Sequence, residues 1–266
     1  MVMIKTYLLL ILILVTPTLF SQNAVDSSRI VRVLTFNILH GATTLGDFNL
    51  DRIAQVIKDT DPDLVALQEV DYKTRRALRY DLVTELGWRT KMSPLFGKAM
   101  TYDDGEYGEG ILSKYSYLNT INVALPHSED NEPRAALAVT TILPSGDTIS
   151  FIGTHLEHSD NELDRITQAE KLVEAFSKNE YPTILAGDLN AVPGSTPINI
   201  LEDHWFSTYN KVEPSGTYPS NKPTKKIDYI MYYPENQWRV IETIVIQDSI
   251  ASDHCAYMVV LELLQN

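Results

Sequence analysis

The chain has 266 residues, of which 44% are hydrophobic and 21% are charged, as is typical of a soluble globular protein with a full core. Its net charge of −13 at pH 7 argues against a broad basic groove for duplex DNA, because an acidic surface repels phosphate backbones. A single cysteine, Cys255, excludes an internal disulfide bond. We expect a monomer without a disulfide-linked partner.

The first 21 residues are predicted to form a signal peptide. Lys5 supplies a positive charge, Tyr7–Val15 is an apolar stretch too short to span a bilayer comfortably, and Ser21 is a small residue suited to cleavage. The alternative is an anchor that stays uncleaved. Because export is combined with a lack of disulfide bonds, we expect a bacterial protein of the periplasm or the extracellular medium, with residues 28–264 forming a single domain.

The chain after this segment is predicted to open with two buried strands separated by a helix. Ser27–Asn37 is apolar on both faces, which is typical of a strand between two layers. Leu50–Thr60 carries apolar residues at three- and four-residue steps and is predicted to be helical. Leu64–Leu67 is the second strand, and Glu69 follows its end as Asn37 closes the first. A Glu at a strand end is more often solvated than functional, so each residue alone is weak evidence.

The middle of the chain is predicted to contain short strands and two helices. A short helix over Asp81–Leu86 is expected to end before Gly87. Strands are predicted at Trp88–Met92, Gly97–Met100, Leu118–Leu125, Ala135–Leu143 and Thr148–Thr154. His155 follows the last of these strands. Leu163–Phe176 is predicted to be an amphipathic helix whose inner face includes Ile166, Ala169, Leu172, Val173 and Phe176.

The stretch Thr183–Asn190 combines a short apolar strand with a polar end. Gly187 permits a close approach of the backbone, and Asp188 and Asn190 then emerge where the strand ends. The ends of buried strands are where α/β proteins place their chemistry. The alternative is a strand that runs into a Gly-Asp turn with an Asx-type hydrogen bond. Further strands are predicted at Lys226–Tyr232, Val240–Ile246 and Ala256–Leu261.

Strands and helices alternate through both halves of the chain, which predicts a layered α/β sandwich. Most of its candidate functional residues lie at or beside the end of an apolar strand. They are Asn37, Glu69, His155, Asp188, Asn190, Asp228, Asp253 and His254. Independent solvated residues would not keep this position in common, so we expect these side chains to form one site.

Three of these residues suit a metal ion. A hard cation such as Mg²⁺, with Mn²⁺ as the alternative, takes oxygen ligands and keeps several waters, so one or two carboxylates and an amide oxygen suffice. Glu69 is the leading candidate ligand, with Asn37 and Asp253 beside it. The sequence has neither a Cys/His cluster with zinc spacing nor a phosphate-binding glycine loop, so the pattern favours metal-assisted hydrolysis of a phosphoester.

The other residues suit the activation of water. Hydrolysis of a phosphate diester requires an in-line water, a base that orients it, and positive charge beside the developing oxygens. Asp188 can take the proton of the water, and Asn190 can place its amide on the same ligand. His254 can donate to a phosphate oxygen if a carboxylate holds it in the right tautomer or charge state, and Asp228 is the predicted partner.

Six short motifs resemble, in order, those of the endonuclease/exonuclease/phosphatase superfamily, the deoxyribonuclease I-like proteins. They are Thr35-Phe36-Asn37, Leu67-Gln68-Glu69-Val70, Gly153-Thr154-His155-Leu156, Gly187-Asp188-Leu189-Asn190, Ile227-Asp228-Tyr229-Ile230 and Ser252-Asp253-His254. The likeness covers nearly all of Ile30–Leu263. It implies a four-layer α/β/β/α sandwich, with two mixed sheets packed face to face and helices outside, and Mg²⁺-dependent cleavage of P–O bonds.

The resemblance implies the same roles, residue by residue. Its metal-side residues are the glutamate Glu69, the companion amide Asn37 and the second carboxylate Asp253. Its remaining matches are the water-orienting Asp188, the phosphate-positioning Asn190, the catalytic His254 and the histidine's partner Asp228.

Three more residues match positions at which family members contact the substrate phosphate. Glu109 stands where many members carry Gly-Asn, and the likeness to pancreatic-type deoxyribonucleases implies a charged Glu109–His155 pair beside the phosphate. Arg134 resembles a phosphate-contacting arginine, with a surface arginine after a proline as the alternative. Arg75 is a candidate of the same kind.

The acidic composition bears on the substrate. Duplex endonucleases commonly need basic loops, and the loops after Asn190 carry only a few lysines. We therefore expect an exported phosphodiesterase or phosphatase that acts on a small or lipid-derived phosphoester. An extracellular or periplasmic nuclease is the alternative, because divalent ions can offset acidic charge. A binding module that kept only the fold would be expected to have lost Glu69, Asp188 or His254, and all three are present.

Overall fold

The computed structural model describes residues 26–265, so the predicted signal peptide lies outside the described residues. Its strands form two six-stranded sheets. The first sheet contains β1 (Ile30–Asn37), β2 (Leu64–Tyr72), β3 (Ser93–Tyr102), β4 (Gly105–Ser113), β11 (Trp238–Ile246) and β12 (Ala256–Leu263). The second contains β5 (Tyr117–Leu125), β6 (Arg134–Ile142), β7 (Thr148–His155), β8 (Thr183–Asp188), β9 (Phe206–Ser207) and β10 (Asp228–Tyr233).

Both sheets are mixed. The strand orders are β11-β12-β1-β2-β4-β3 and β5-β6-β7-β8-β10-β9. Each sheet has one parallel pair at its centre, β1 with β2 and β7 with β8, and antiparallel neighbours on either side. Each parallel pair therefore brings the carboxyl ends of two adjacent strands to the same edge.

The helices cover the outer faces of the two sheets. They are α1 (Leu50–Thr60), α2 (Leu82–Thr90), α3 (Leu163–Phe176) and α4 (Thr196–Glu202). One apolar cluster joins α1 and α2 to the first sheet, a second fills the space between the sheets, and a third joins α3 and α4 to the second sheet. The predicted four-layer α/β/β/α sandwich is confirmed. In residues 26–265, no helix has both the length and the apolar character needed to span a membrane.

Helix α2 is longer than predicted. It is capped by Asp81 and continues through Gly87 to Thr90, and β3 begins only at Ser93. The predicted strand at Trp88–Met92 is therefore wrong, because its first three residues are helical and the last two connect α2 to β3. Gly87 does not end the helix, because its role lies in packing: a Cβ there would meet the Met92 carbonyl oxygen at 2.8 Å.

The buried face of α3 is more polar than predicted. Ile166 and Val173 are only partly buried. The buried residues are Asp164, Arg165, Gln168, Ala169, Leu172 and Phe176. Loops that pass over the start of the helix satisfy these polar groups: Gln168 donates to the Pro126 carbonyl at 2.9 Å and accepts from the Glu157 amide at 2.9 Å. Hydrophobic periodicity cannot detect such contacts, because the partners are distant in sequence.

The strand pairing brings the predicted site residues together. On the second sheet, Asp188 is paired in register with His155 of β7 and with Asp228 of β10. On the first sheet, β1 ends at Asn37, whose side-chain amide donates across to the Asp188 carboxylate at 3.2 Å. One face-to-face packing of two sheets therefore assembles residues that are more than 150 positions apart in the chain.

Gly187 should be intolerant of a side chain. A Cβ at this position would lie 2.0 Å from the Thr154 carbonyl oxygen of the paired strand, and a backbone atom cannot rotate away. Gly187→Ala should lower the free energy of unfolding by about 1–3 kcal/mol, the usual cost of overpacking. Urea denaturation measures this change. Gly153→Ala is the matched control on β7, where the nearest atom is the Ala66 side chain at 3.3 Å, and an equal loss in both variants would contradict the explanation.

Candidate active site

Two site residues adopt strained backbone conformations. Glu69 has a φ of 57° and lies where the register between β2 and β4 shifts, between Leu67 and Val70. A bulge of this kind redirects a side chain that a regular strand would point elsewhere. Asn190, two residues beyond Asp188, has a φ of 46°. Non-glycine residues with positive φ persist only where the surroundings enforce them, and they cluster at functional sites.

Asn37 bridges the two sheets at the centre of the site. Its Nδ2 lies 3.1 Å from Oε1 of Glu69 and 3.2 Å from Oδ2 of Asp188. Its Oδ1 accepts from the amide of Leu39 at 3.1 Å, and its carbonyl accepts from the Ser252 hydroxyl at 2.6 Å. In this orientation the amide nitrogen, which cannot ligate a cation, faces the carboxylates. Asn37 in this orientation positions both carboxylates, and Glu69 and Asp253 offer oxygen atoms that could hold a metal.

Glu69 is suited to hold a cation. Burial opposes its ionisation, but the hydrogen bond from His40, the electrostatic effect of His155 and the hydrogen bond from Asn37 together outweigh that effect and lower the pKa of its carboxyl to about 2. Asp253 also lines the cleft. Burial raises the pKa of its carboxyl, and the negative charge of Glu69 raises it further. Two carboxylates that repel each other in a partly buried cleft are what a divalent cation would stabilise, so the residues present fit a metal ion.

A second group of potential ligands lies close by. Asp188, Asp228 and His254 place one ligand atom each within 4.8 Å of one another. His254 Nδ1 lies 3.1 Å from Asp228 Oδ1, however, and its Nε2 lies 3.5 Å from Asp188 Oδ2. A histidine paired with carboxylates on both nitrogens carries two protons and has no lone pair to offer a metal. This group is therefore suited to proton transfer, whereas Glu69 and Asp253 are the carboxylates that could hold a cation.

Asp188 and His254 have pKa values shifted in ways that suit acid–base chemistry. Burial is the main effect that raises the pKa of Asp188 to about 7. Repulsion from Asp228 adds to it, and the positive charge of His254 opposes it. Burial disfavours the charged imidazole, but the charges of Asp228 and Asp188 outweigh it and raise the pKa of His254 to about 10. Near neutral pH the pair therefore combines a carboxylate base with a protonated donor.

The predicted Glu109–His155 pair is wrong. His155 Nδ1 lies 2.9 Å from Nη1 of Arg134, and because a guanidinium only donates, Nδ1 accepts. Burial and then the charge of Arg134 lower the pKa of His155 well below its usual value, so the ring is neutral. Both carboxylate oxygens of Glu109 are buried without a partner among residues 26–265, and burial raises its pKa well above the usual range.

Of the two arginines predicted to contact phosphate, one lies in the cleft. Arg134 is buried in the cleft lining between His155 and Tyr107. Arg75 is exposed and paired with Asp103 at 2.8 Å, outside the cleft. The turn after β2 directs the neighbouring residue Arg76 into the cleft lining instead.

Sequence reasoning missed further residues of the cleft, among them His40, His158 and Arg165. His40, with a φ of 44°, lies 3.4 Å from Glu69, and its place in the loop directly after β1 is a signal that could have identified it. His158 and Arg165 also line the cleft. His158 lies three residues beyond His155, whereas Arg165 lies on a helix and no motif marks it.

Comparison with known proteins identifies the same family that the sequence motifs resemble. A family model described as the endonuclease/exonuclease/phosphatase family matches residues 34–254. The chain belongs to this family. Members are metal-dependent hydrolases of phosphoester bonds, and this protein is therefore a metal-dependent hydrolase acting on ester bonds.

Solved structures with the family's fold include several from bacteria. An endonuclease/exonuclease/phosphatase from Beutenbergia cavernae is 22% identical with a TM-score of 0.75, over 88% of this chain and 72% of that chain. A mannosyl-6-phosphatase of Bacteroides thetaiotaomicron is 18% identical with a TM-score of 0.69, over 87% and 99% of the two chains. The human Nocturnin catalytic domain with bound sulfate is 21% identical with a TM-score of 0.70, over 91% and 96%.

Mg²⁺ should stabilise the folded protein through Glu69. A ligand that binds only the native state adds about 2.7 kcal/mol at a hundredfold excess over its Kd, so Tm should rise on addition of Mg²⁺. Differential scanning calorimetry should show this rise for the wild type and for Asp228→Asn, and no rise for Glu69→Gln. The opposite pattern would place the cation in the group that contains His254.

The pH dependence of kcat/KM should report Asp188 and His254. Activity should rise as pH passes about 7, where Asp188 loses its proton, and fall as pH passes about 10, where His254 loses its own. Asp228→Asn removes the largest charge that favours protonated His254, so the alkaline limb should move to lower pH. The exposed Asp203→Asn is the control. An alkaline limb at the same pH in both variants would contradict the assignment.

Proposed function

We propose that the protein is an exported, Mg²⁺-dependent phosphoesterase of small-molecule or lipid-derived phosphoesters. The observation that carries this proposal is the position of Asp188. Its carboxylate is 1% exposed, lies 3.5 Å from the His254 imidazole, and lines a cleft of about 620 Å³ together with Glu69. A cleft of this volume is in the range of small-molecule sites.

Each group of residues in the cleft has a separate role in the proposed hydrolysis. Mg²⁺ held by Glu69 and Asp253 would supply positive charge to the phosphate oxygens. Asp188 accepts the proton of the attacking water. Its Oδ1 accepts from the backbone amide of Asn190 at 3.0 Å, which holds the carboxylate in one orientation. His254, protonated at neutral pH, donates its Nε2 proton to a phosphate oxygen as negative charge develops there.

Asp228 and the neutral His155 support these two groups. Asp228 lies within 3.2 Å of His254 Nδ1 through both of its oxygens, which holds the imidazole with Nε2 toward Asp188 and the cleft. His155 Nε2 lies 3.5 Å from Asp188 Oδ2. Both contacts fix orientations before the substrate arrives, which reduces the reorganisation needed in the transition state.

The charge distribution supports a small substrate over a nucleic acid. Several basic side chains on the described surface are paired with carboxylates, as in Arg52–Asp248, Arg89–Asp51 and Lys98–Glu106. A duplex would need unpaired Lys and Arg along its backbone, with release of the counterions that they replace. The likeness in fold to a mannosyl-6-phosphatase is compatible with a small phosphoester.

Export is part of the proposal and rests on residues 1–21. A positive charge at Lys5 followed by a short apolar stretch is the pattern of a signal peptide. Recovery of the full-length chain from the cytoplasm alone would contradict it.

Hydrolysis of small phosphoesters should depend on Asp188. Purified protein with Mg²⁺ is incubated with p-nitrophenyl phosphate, bis-p-nitrophenyl phosphate, phospholipids, sugar phosphates and plasmid DNA. Asp188→Asn should reduce turnover of the preferred small substrate at least about a hundredfold, the scale of general base catalysis. Rapid nicking of plasmid DNA at physiological salt, lost in Asp188→Asn, would instead favour a nuclease.

Asp203→Asn is the matched control for this experiment. Asp203 is an exposed aspartate outside the cleft, and the substitution makes the same change of charge. If Glu69→Gln and His254→Ala left every hydrolytic activity unchanged, the proposed assignment of these residues to catalysis would fail.

A further inference from the structure

One part of the cleft lining is cationic, although the chain as a whole is acidic. Its basic members are Arg134 at the start of β6, His158 in the loop after β7, and Arg165 in the first turn of α3. His158 also lies 3.3 Å from the Glu157 carboxylate, and the acidic Asp160 lines the cleft as well. The mechanism above uses none of these three side chains on the substrate. Three basic groups from separate elements meet at a cleft that already holds one phosphate-binding centre.

Arg165 is a buried guanidinium without a carboxylate partner. The residue is 6% exposed, and its Nη1 donates to the carbonyls of Glu157 at 3.0 Å and Ser159 at 2.5 Å. Its Nε is buried without a partner, and among residues 26–265 no carboxylate oxygen forms a salt bridge with it. A buried charge normally has a counter-charge, because removing it from water is costly. The cleft that Arg165 lines is the place from which an anion can reach it.

Arg134 has a counter-charge that can be displaced. Its Nη2 lies 2.9 Å from Oε2 of Glu132 and 3.3 Å from Nδ1 of His158. Arg134 itself is 2% exposed, whereas the Glu132 side chain is 42% exposed and also lines the cleft. The Glu132 carboxylate therefore occupies an anion position beside Arg134 and can rotate into solvent.

These groups lie next to the position of the reacting phosphate. The Asn190 side-chain amide lies 3.0 Å from Nε2 of His155, and Arg134 lies 2.9 Å from the other ring nitrogen. One imidazole ring and one guanidinium group therefore separate Asn190 from His158. A second phosphate on the same small molecule can reach the cationic groups while the first lies beside Asp188.

We propose that Arg134, His158 and Arg165 form a subsite for a second phosphate group, so that the preferred substrates are small bisphosphates. The subsite rests on the proposed phosphoesterase function. Glu132 occupies it in the free protein and competes with the substrate. Arg165 and His158 are specificity-determining residues, because they contact the part of the substrate that does not react.

Binding to Asp188→Asn protein tests the subsite without turnover. Calorimetry with Mg²⁺ compares three bisphosphates of different phosphate spacing with their monophosphates: fructose 1,6-bisphosphate, 2,3-bisphosphoglycerate and adenosine 3′,5′-bisphosphate. At least one should bind about tenfold more tightly than each of its monophosphates, as expected for one added set of charge-assisted hydrogen bonds. Equal binding of all three bisphosphates and their monophosphates would overturn the proposal.

Substitutions in the same Asp188→Asn background should act in opposite directions. Arg165→Gln and His158→Gln should each raise the Kd of the preferred bisphosphate, Arg165→Gln by about tenfold. Glu132→Gln should lower this Kd, because it removes the competing anion. Lys171→Gln, on the same helix as Arg165, and Glu129→Gln, in the same loop as Glu132, are charge-matched controls outside the cleft lining.

The outcomes separate the subsite from the proposed function. His158 and Glu132 are exposed, so their variants decide the question if Arg165→Gln fails to fold. A bisphosphate Kd that changes equally in the controls and in these variants would overturn the subsite. Absence of Asp188-dependent hydrolysis in the wild type, with selective bisphosphate binding intact, would overturn the proposed function and leave the subsite standing.

Discussion

The buried carboxylate of Asp188 is the constraint on which the site depends. It lies at the junction of the two sheets. There it accepts from the side-chain amide of Asn37 on the first sheet and from the backbone amide of Asn190, just beyond the end of its own strand. An ionised group in such a place is costly unless it is paired and hydrogen-bonded. His254, held by Asp228, provides the charge that makes its ionisation feasible near neutral pH.

The surrounding fold follows from the need to build this centre from distant residues. The central parallel pair of each sheet brings two strand ends to one edge of that sheet, and face-to-face packing brings the two edges together. The site tolerates local strain for the same reason. The bulge that turns Glu69 into the cleft and the positive φ of Asn190 are stable only because the packed sheets hold them.

The cleft combines acidic and basic groups in a protein whose net charge is strongly negative. The carboxylates Glu69 and Asp253 lie on the side proposed for the cation, and Arg134 and Arg165 line another part of the same cleft. Elsewhere on the described surface, several basic side chains pair with acidic ones. The positive potential available to a substrate is therefore local, which suits a compact anion better than an extended polyanion.

The sequence by itself determined the layered fold and the family and predicted the candidate catalytic residues, because strand ends and short motifs are local patterns. Only the tertiary structure determined the contacts between residues that are distant in sequence. Arg134 rather than Glu109 contacts His155, because the strands place a guanidinium nearer to the ring. Arg165 enters the cleft from a helix whose periodicity marked only its apolar face. Such contacts join residues far apart in sequence, and only the packing of the layers sets their distances.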